Sequence, residues 1–334
     1  MEEYLELIQY FIYAFFVTLI ISPVVISFIK REKVKQVILK YVESHSSKSG
    51  TPTMGGIIFI ISISIVAMIC FKGQSQLAKM TILIFIAYGL VGFLDDFIKF
   101  RFKQNEGLKP YQKIVFQLAI SIAVGFFVYH SMLGSVIVVP FTKYVVDIDY
   151  WIVPLVAIIY LATTNAVNLT DGLDGLAGST VLCYLASFVA LALIFLETGI
   201  VGGNAIMNEE IKNLAVVSVI TIGALLSFLV FNCFPAKIFM GDTGSLALGS
   251  LVSSVAVFSG LELYIPILGI MFVASCVSVI IQVAYYKLTR KRVFLMAPLH
   301  HHFEKKGCHE VRITMCYALV TFIVGAITIL LNIL

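Results

Sequence analysis

YLELIQYFIYAFFVTLIISPVVISFI, residues 4–29, carries one charged side chain, Glu6, in an otherwise apolar run. A helix needs ~20 such residues to cross the hydrocarbon layer of a bilayer, so this stretch is long enough to span. Nine further apolar runs follow, at 55–71, 80–94, 114–130, 150–166, 176–196, 213–231, 245–260, 264–286 and 313–333. The pattern predicts an all-α integral membrane protein with about ten transmembrane helices. Several runs are short for a span, so their ends must extend into flanking polar residues or the bilayer must thin.

Composition points the same way. Of 334 residues, 60% are hydrophobic and 13% charged, against ~45–50% and ~25% in soluble domains. A mean hydropathy of +1.01 cannot be hidden in one core. A soluble enzyme, a disordered chain and a secreted disulfide scaffold are excluded, and residues 1–334 read as a single polytopic membrane domain. The cysteines (70, 183, 233, 276, 308 and 316) form no CxxC pair, so neither a zinc site nor a disulfide framework is indicated. Glu2, Glu3 and Glu6 stand where a signal peptide would be basic, so the first run is expected to be a retained span.

Charge placement predicts sidedness. The connections 30–54, 95–113, 165–175, 232–244 and 287–312 hold all of the 23 Lys and Arg except Lys72, Lys79, Lys143 and Lys212. Basic loops stay cytoplasmic, which puts these five loops in the cytosol and both termini outside. SVIVVPFTKYVVDID (135–149), β-branched around a central Pro, reads as a small external β-hairpin near 136–147.

The aspartates then locate the chemistry. Asp147 and Asp149 belong to the hairpin, while Asp95, Asp96, Asp171, Asp174 and Asp242 all fall where a span meets the cytosol. Carboxylates beside apolar spans are costly and mark function. In GFLDDFIK (92–99) the adjacent Asp95 and Asp96 point ~100° apart on a helix, so they divide the labour, one reaching the reacting centre and the other orienting it or holding metal. In NAVNLTDGLDGLAG (165–178), Asp171 and Asp174 share a helix face, beside Asn165, Asn168 and glycines that allow close approach. The lipid-head-group alcohol phosphotransferase motif also opens with Asp-Gly, but its Ala-Arg pair and two further spaced aspartates are missing.

FNCFPAKIFMGDTGSLALG (231–249) places Asp242 just before a helix whose free N–H groups favour phosphate, with a hard oxygen ligand suited to Mg²⁺. An intramembrane aspartyl protease would bury its aspartates deeper and would not need the surrounding Lys and His. APLHHHFEKKG (297–307) holds His300, His301 and His302, which as neighbours cannot all ligate one metal from a regular helix but can donate to phosphate oxygens. SHSSKSGTPTMGG (44–56), with Lys48 and Thr53, is like a phosphate-binding loop without the Walker spacing. Acidic metal ligands, basic phosphate partners and helix N-termini on one face suit a metal-bridged diphosphate with a lipid co-substrate.

These motifs resemble the polyprenyl-phosphate N-acetylhexosamine-1-phosphate transferases. The matching strings are KSGTPTMGG (48–56), GFLDD (92–96), NLTDGLDGLAG (168–178), FMGDTGSLALG (239–249) and APLHHHFE (297–304), in order along nearly the whole chain. The first and last are specific to the muramoyl branch. One departure is Cys308-His309 after Lys306-Gly307, where the family usually has Trp-Pro.

The resemblance implies that undecaprenyl phosphate attacks the β-phosphorus of UDP-N-acetylmuramoyl-pentapeptide, releasing UMP. It implies Mg²⁺ held by Asp242, with Asp95 deprotonating or orienting the lipid phosphate beside Asp96; an aspartate acting as covalent nucleophile is the other possibility within the family. It implies His300, His301, His302, Lys48, Lys99 and Lys113 as phosphate clamps. Asn168, Asp171, Asp174 and Phe239 would recognise the nucleotide, Phe239 by stacking on uracil, with Thr53 and Asn232 also lining the substrate site. A homodimer in a bacterial plasma membrane, with membrane lipids around it, a cytoplasmic active site and no nucleic-acid partner, completes the expectation. Two alternatives are a sister enzyme transferring N-acetylglucosamine-1-phosphate and a nucleotide-sugar transporter, though a transporter should line its mid-membrane path with polar residues. The geometric core of the expectation is that Asp95, Asp171 and Asp242 converge on one divalent cation.

Overall fold

The computed structural model describes residues 2–31, 50–71, 75–102, 107–131, 134–142, 144–201 and 203–333. Lys48 lies outside them. In chain order the elements are α1 (Glu2–Arg31), α2 (Gly56–Phe71), α3 (Gln76–Phe102), α4 (Pro110–His130), β1 (Val136–Val138), β2 (Val145–Asp147), α5 (Ile152–Thr170), α6 (Leu176–Glu197), α7 (Ala205–Asn232), α8 (Gly241–Val257), α9 (Ile265–Leu268), α10 (Ile270–Thr289), α11 (Leu299–Lys305) and α12 (Glu310–Ile333).

Among the described residues, eight helices are long and apolar enough to cross a membrane, and α2 is a shorter apolar helix of 16 residues. The chain is thus an all-α, multi-pass membrane protein. Nine of the ten apolar runs fall on a single helix, and several of those helices extend past the run into polar residues, α3 to Phe102 and α4 back to Pro110. α8, at 17 residues, spans only about 25 Å at 1.5 Å per residue, and it is walled in by protein.

α8 is the axis of the fold. Every residue from Thr243 to Val257 is buried, and the helix packs against α2, α3 and α5. Small residues permit the close approach. A Cβ on Gly92 of α3 would fall 2.1 Å from the carbonyl oxygen of Asp242, and one on Gly56 would fall 2.3 Å from Gly244. Gly249 sits as tightly against Thr164 of α5. These contacts fix the start of α8 against the C-terminal part of α3.

The hairpin forms as the β-branched run predicts, with β1 and β2 antiparallel and Val136 opposite Asp147. It joins the C-terminus of α4 to the N-terminus of α5, so it lies at the opposite end of those helices from Lys113 and Asp171. The run 264–286 is not one helix: Pro266 occupies the first turn of α9, where its missing N–H costs nothing, and the chain breaks at Gly269 before α10. Beyond that break the far half of α10 is largely exposed.

Candidate active site

Three helix ends meet to form the site. α3 supplies Asp95 and Asp96, both buried, and α8 supplies Asp242 in its first turn. One carboxylate oxygen from each lies within 4.8 Å of the others. α5 ends at Asp171 and contributes Asn168, whose Nδ2 donates to Asp242 Oδ1 and to Ser245 Oγ, each at 2.8 Å.

Two ammonium groups face the carboxylates. Lys99 Nζ lies 2.5 Å from Asp95 Oδ2, 3.2 Å from Asp242 Oδ2 and 3.9 Å from Asp96 Oδ1. Lys113 Nζ, reaching from α4, lies 2.8 Å from Asp242 Oδ2. Lys99 stands one turn beyond Asp95 on the same helix face, which is why a GFLDDFIK string delivers both signs of charge to one point.

The adjacent aspartates make different contacts. Asp96 Oδ2 accepts the Thr243 backbone N–H at 2.9 Å and its hydroxyl at 2.7 Å. Asp95 Oδ1 accepts the Leu108 N–H at 2.9 Å. The Gly241 N–H faces the Asp171 carboxylate. The sequence reading left the α8 N-terminus open for phosphate. Instead, the Thr243 N–H is taken by Asp96, because the helix dipole attracts the nearest anions and those are the protein's own.

Half-buried Asp171 has a pKa pushed up to about 8, first by burial and then by the negative charges of Asp242 and Asp96. Four carboxylates therefore share two ammonium groups, and the site is short of positive charge. Asp171 stands beside the triad of Asp95, Asp96 and Asp242; the converging set expected from sequence named Asp171 in place of Asp96.

The GTPTMGG segment is stitched to the FMGD segment. The Phe239 N–H donates to Pro52 O, Gly55 N–H to Phe239 O and Gly56 N–H to Met240 O, at 2.8–2.9 Å. Thr53 is thereby held at Gly241, where a Cβ would lie 2.9 Å from its Oγ1 and 2.6 Å from Asp96 Oδ2. Gly241 has φ +75°, a conformation that suits glycine. The Phe239 ring is half-buried on the same strip.

Asp174 and Asn232 shape the connection between α7 and α8. Asp174 Oδ2 accepts the Ala236 N–H at 2.9 Å, and Asn232 Nδ2 donates to Ile238 O at 2.9 Å. The histidines sit on α11, whose buried His300 packs on Gly172: a Cβ there would lie 2.2 Å from Nε2. His301 Nδ1 is 2.9 Å from Glu304 Oε2, and His302 Nδ1 accepts the Leu295 N–H at 3.1 Å. Cys308 packs on a small cluster of Leu173, Leu176, Ile313 and Tyr317, and His309 sets its ring edge-to-face on Phe234 at 5.2 Å.

Sequence reasoning passed over Thr243 and Ser245 as contacts of Asp96 and Asn168. Their position in the first turn of α8, one on each side of Gly244, was the available signal. It also passed over Gln117, a fully buried amide in α4, which stood out as the polar interruption of an apolar run.

The fold and site define a multi-pass membrane protein with a carboxylate-rich centre where helices meet, and the comparisons place it among the transferases. The model of glycosyl transferase family 4 matches residues 77–260, and the phospho-N-acetylmuramoyl-pentapeptide-transferase signature 1 matches residues 48–60. A phospho-N-acetylmuramoyl-pentapeptide-transferase of Clostridium novyi (strain NT) is 44% identical over 312 residues, 93% of this chain and 92% of that protein. Proteins of the same name from Clostridioides difficile (strain 630) and Anoxybacillus flavithermus (strain DSM 21510 / WK1) are 42% and 41% identical, covering 95% and 91% of both partners. The chain belongs to the phospho-N-acetylmuramoyl-pentapeptide-transferase family.

Proposed function

We propose that this protein transfers phospho-N-acetylmuramoyl-pentapeptide from its UDP-linked precursor to undecaprenyl phosphate, forming the lipid-linked diphosphate sugar of peptidoglycan synthesis and releasing UMP. The observation that carries the reading is the meeting of Asp95, Asp96 and Asp242 with Lys99 and Lys113 at the start of α8. The difficulty of the reaction is electrostatic, since two phosphate anions must approach each other. Lys99 and Lys113 are placed to turn from the carboxylates to the diphosphate and lower that repulsion. Asp95 takes the remaining proton of the lipid phosphate. A lipid phosphate oxygen then forms its bond to the β-phosphorus, the bond from that phosphorus to the bridging oxygen breaks, and the electron pair leaves on UMP. Asp96 holds the start of α8, and with it Asp242, in place.

The donor set fits Mg²⁺. Hard carboxylate oxygens cluster within 4.8 Å, and their surplus negative charge is what a divalent cation neutralises. Asp242, flanked by Asp95 and Asp96, would hold the ion, which supplies charge neutralisation on the diphosphate and leaving group. Asn168, Asp171, Asp174, Asn232, Thr53 and Phe239 form the neighbouring surface for the nucleotide, with Phe239 offering its ring to uracil. His301, His302 and Lys48 would complete the phosphate contacts, with buried His300 seating α11 against Gly172.

The Lys and Arg distribution supports a cytoplasmic site in a bacterial plasma membrane, external termini and an external hairpin. Ten crossings, one domain and a homodimer belong to the same proposal. The test is UMP release by the purified protein given UDP-N-acetylmuramoyl-pentapeptide, undecaprenyl phosphate and Mg²⁺. Release that stops with EDTA is expected. Release only with UDP-N-acetylglucosamine, or uptake into liposomes without UMP, would overturn the reading.

A further inference from the structure

Beneath the carboxylates lies a second polar layer, of which the motifs contain only Asn165. Gln117 of α4 is fully buried, and its Oε1 accepts the Nδ2–H of Asn165 on α5 at 2.8 Å. Asn165 gives its other Nδ2 hydrogen to Leu161 O, also at 2.8 Å. Tyr88 of α3 donates its hydroxyl to the Gln117 backbone oxygen at 2.9 Å. The Tyr88 ring stacks on Tyr160 at 5.9 Å, and the Tyr160 hydroxyl lies 2.7 Å from Ser254 Oγ of α8. One connected set of side chains therefore ties together the four helices that build the site.

Its placement follows the helical repeat. Gln117 is four residues after Lys113, Asn165 three before Asn168, and Tyr88 seven before Asp95. Each therefore lies on the same face as a site residue, one or two turns deeper. Among the described residues Gln117 Nε2 has no hydrogen-bond partner, so in stability alone an apolar side chain would suit this depth better. The amide is held there for the bond that its Oε1 makes.

We infer that Gln117 and Asn165 are positioning residues for the transfer, fixing α4 against α5 so that Lys113 and Asn168 meet the two oxygens of Asp242. The inference rests on the phosphotransfer reading above. It separates from simple helix packing because it acts through Lys113.

The experiment is a double-mutant cycle on the full-length protein, with Gln117→Leu, Lys113→Met and both together, reading kcat for UMP release at saturating substrates and Mg²⁺. Gln117→Leu is expected to lower kcat about tenfold or more. In the Lys113→Met background the same change should cost less than about threefold, the sign of a shared pathway. Gln117→Glu, which keeps the acceptor for Asn165, should retain most of the activity that Leu loses. Fully additive losses, or Leu matching Glu, would overturn the inference, and Asn165→Leu replaces Gln117→Leu if that variant does not fold.

Mn²⁺ affinity, read by electron paramagnetic resonance, gives an answer independent of turnover. Lys113→Met and Gln117→Leu should each tighten Mn²⁺ binding, because Lys113 no longer competes for Asp242, and the double variant should bind no tighter than either. Weaker binding in Gln117→Leu would overturn the inference. A wild type that binds Mn²⁺ but releases no UMP would instead fail the functional reading, with the Mn²⁺ cycle still deciding on the pair.

Discussion

Asp96 accepts both the backbone N–H and the hydroxyl of Thr243, at 2.9 and 2.7 Å, through a single oxygen, Oδ2. A residue that reads in sequence as half of an acidic pair is thus a clamp from α3 onto the first turn of α8. Asp96→Asn keeps an acceptor oxygen, whereas Asp96→Ala leaves the buried Thr243 N–H without a partner. Ala is expected to destabilise by about 1–3 kcal/mol more than Asn. Thermal unfolding in detergent measures the gap, and equal melting temperatures for the two variants would remove the clamp.

Asp242 is where Lys99, Lys113 and Asn168 converge. Asp242→Asn is expected to abolish Mg²⁺-dependent UMP release with the protein still folded, since the amide replaces the carboxylate at equal size. Near-normal turnover would take Asp242 out of the metal site. Asp95→Asn should stop transfer to lipid and leave UDP-sugar affinity within about threefold, because its task is assigned to the nucleophile. Calorimetry with the nucleotide substrate checks this, and a large loss of affinity would move Asp95 to the metal.

Gly92 has no room for a side chain, its Cβ position lying 2.1 Å from the Asp242 carbonyl oxygen. That oxygen is backbone and cannot swing aside, so Gly92→Ala must push α3 from α8. The expected cost is about 1–3 kcal/mol, with kcat falling more than the affinity for nucleotide, as Asp95 and Asp242 separate. Unchanged turnover would show that the crossing tolerates a methyl group.

Much of this was legible in the sequence, for physical reasons. A bilayer demands long apolar runs, so the helices could be read from hydropathy, and carboxylates beside such runs are too costly to be incidental. Asp95, Lys99 and Asp242 followed directly. The partners were less legible: Asp96 with Thr243, Asp174 with Ala236 and Gln117 with Asn165 are contacts between segments far apart in the chain, which no spacing rule encodes. The break at Gly269 was not legible either: Pro266, three residues earlier, sits in the first turn of α9, where proline is harmless, so the apolar run reads as continuous.

Asp171 gives a pH test. Burial, then the charges of Asp242 and Asp96, push its pKa up to about 8, from an unfolded value near ~3.9. A carboxyl raised in the folded state adds stability that is complete below the unfolded pKa and lost as pH climbs through the folded one. With EDTA present, wild type should therefore lose melting temperature between pH 5 and 8.5 relative to Asp171→Asn, whose amide stays neutral. The two should match most closely at the acidic end. A difference that does not vary with pH would mean that Asp171 is ionised throughout.

Gly172 and His300 connect the aspartate loop to the histidine helix. The ring of His300 fills the place where a Gly172 side chain would be, with Nε2 at 2.2 Å from the Cβ position. His300 is fully buried and cannot retreat to solvent, so Gly172→Ala must displace α11 or the 171–174 turn. Because α11 also carries His301 and His302, the expected result is a rise of about tenfold or more in KM for the nucleotide substrate. Mn²⁺ affinity should hold, since Asp95, Asp96 and Asp242 sit on other elements. His300→Ala in the Gly172→Ala background should recover part of the KM loss by vacating the contested space. No recovery would mean that the ring contributes its own contact to the phosphate rather than spacing the two segments.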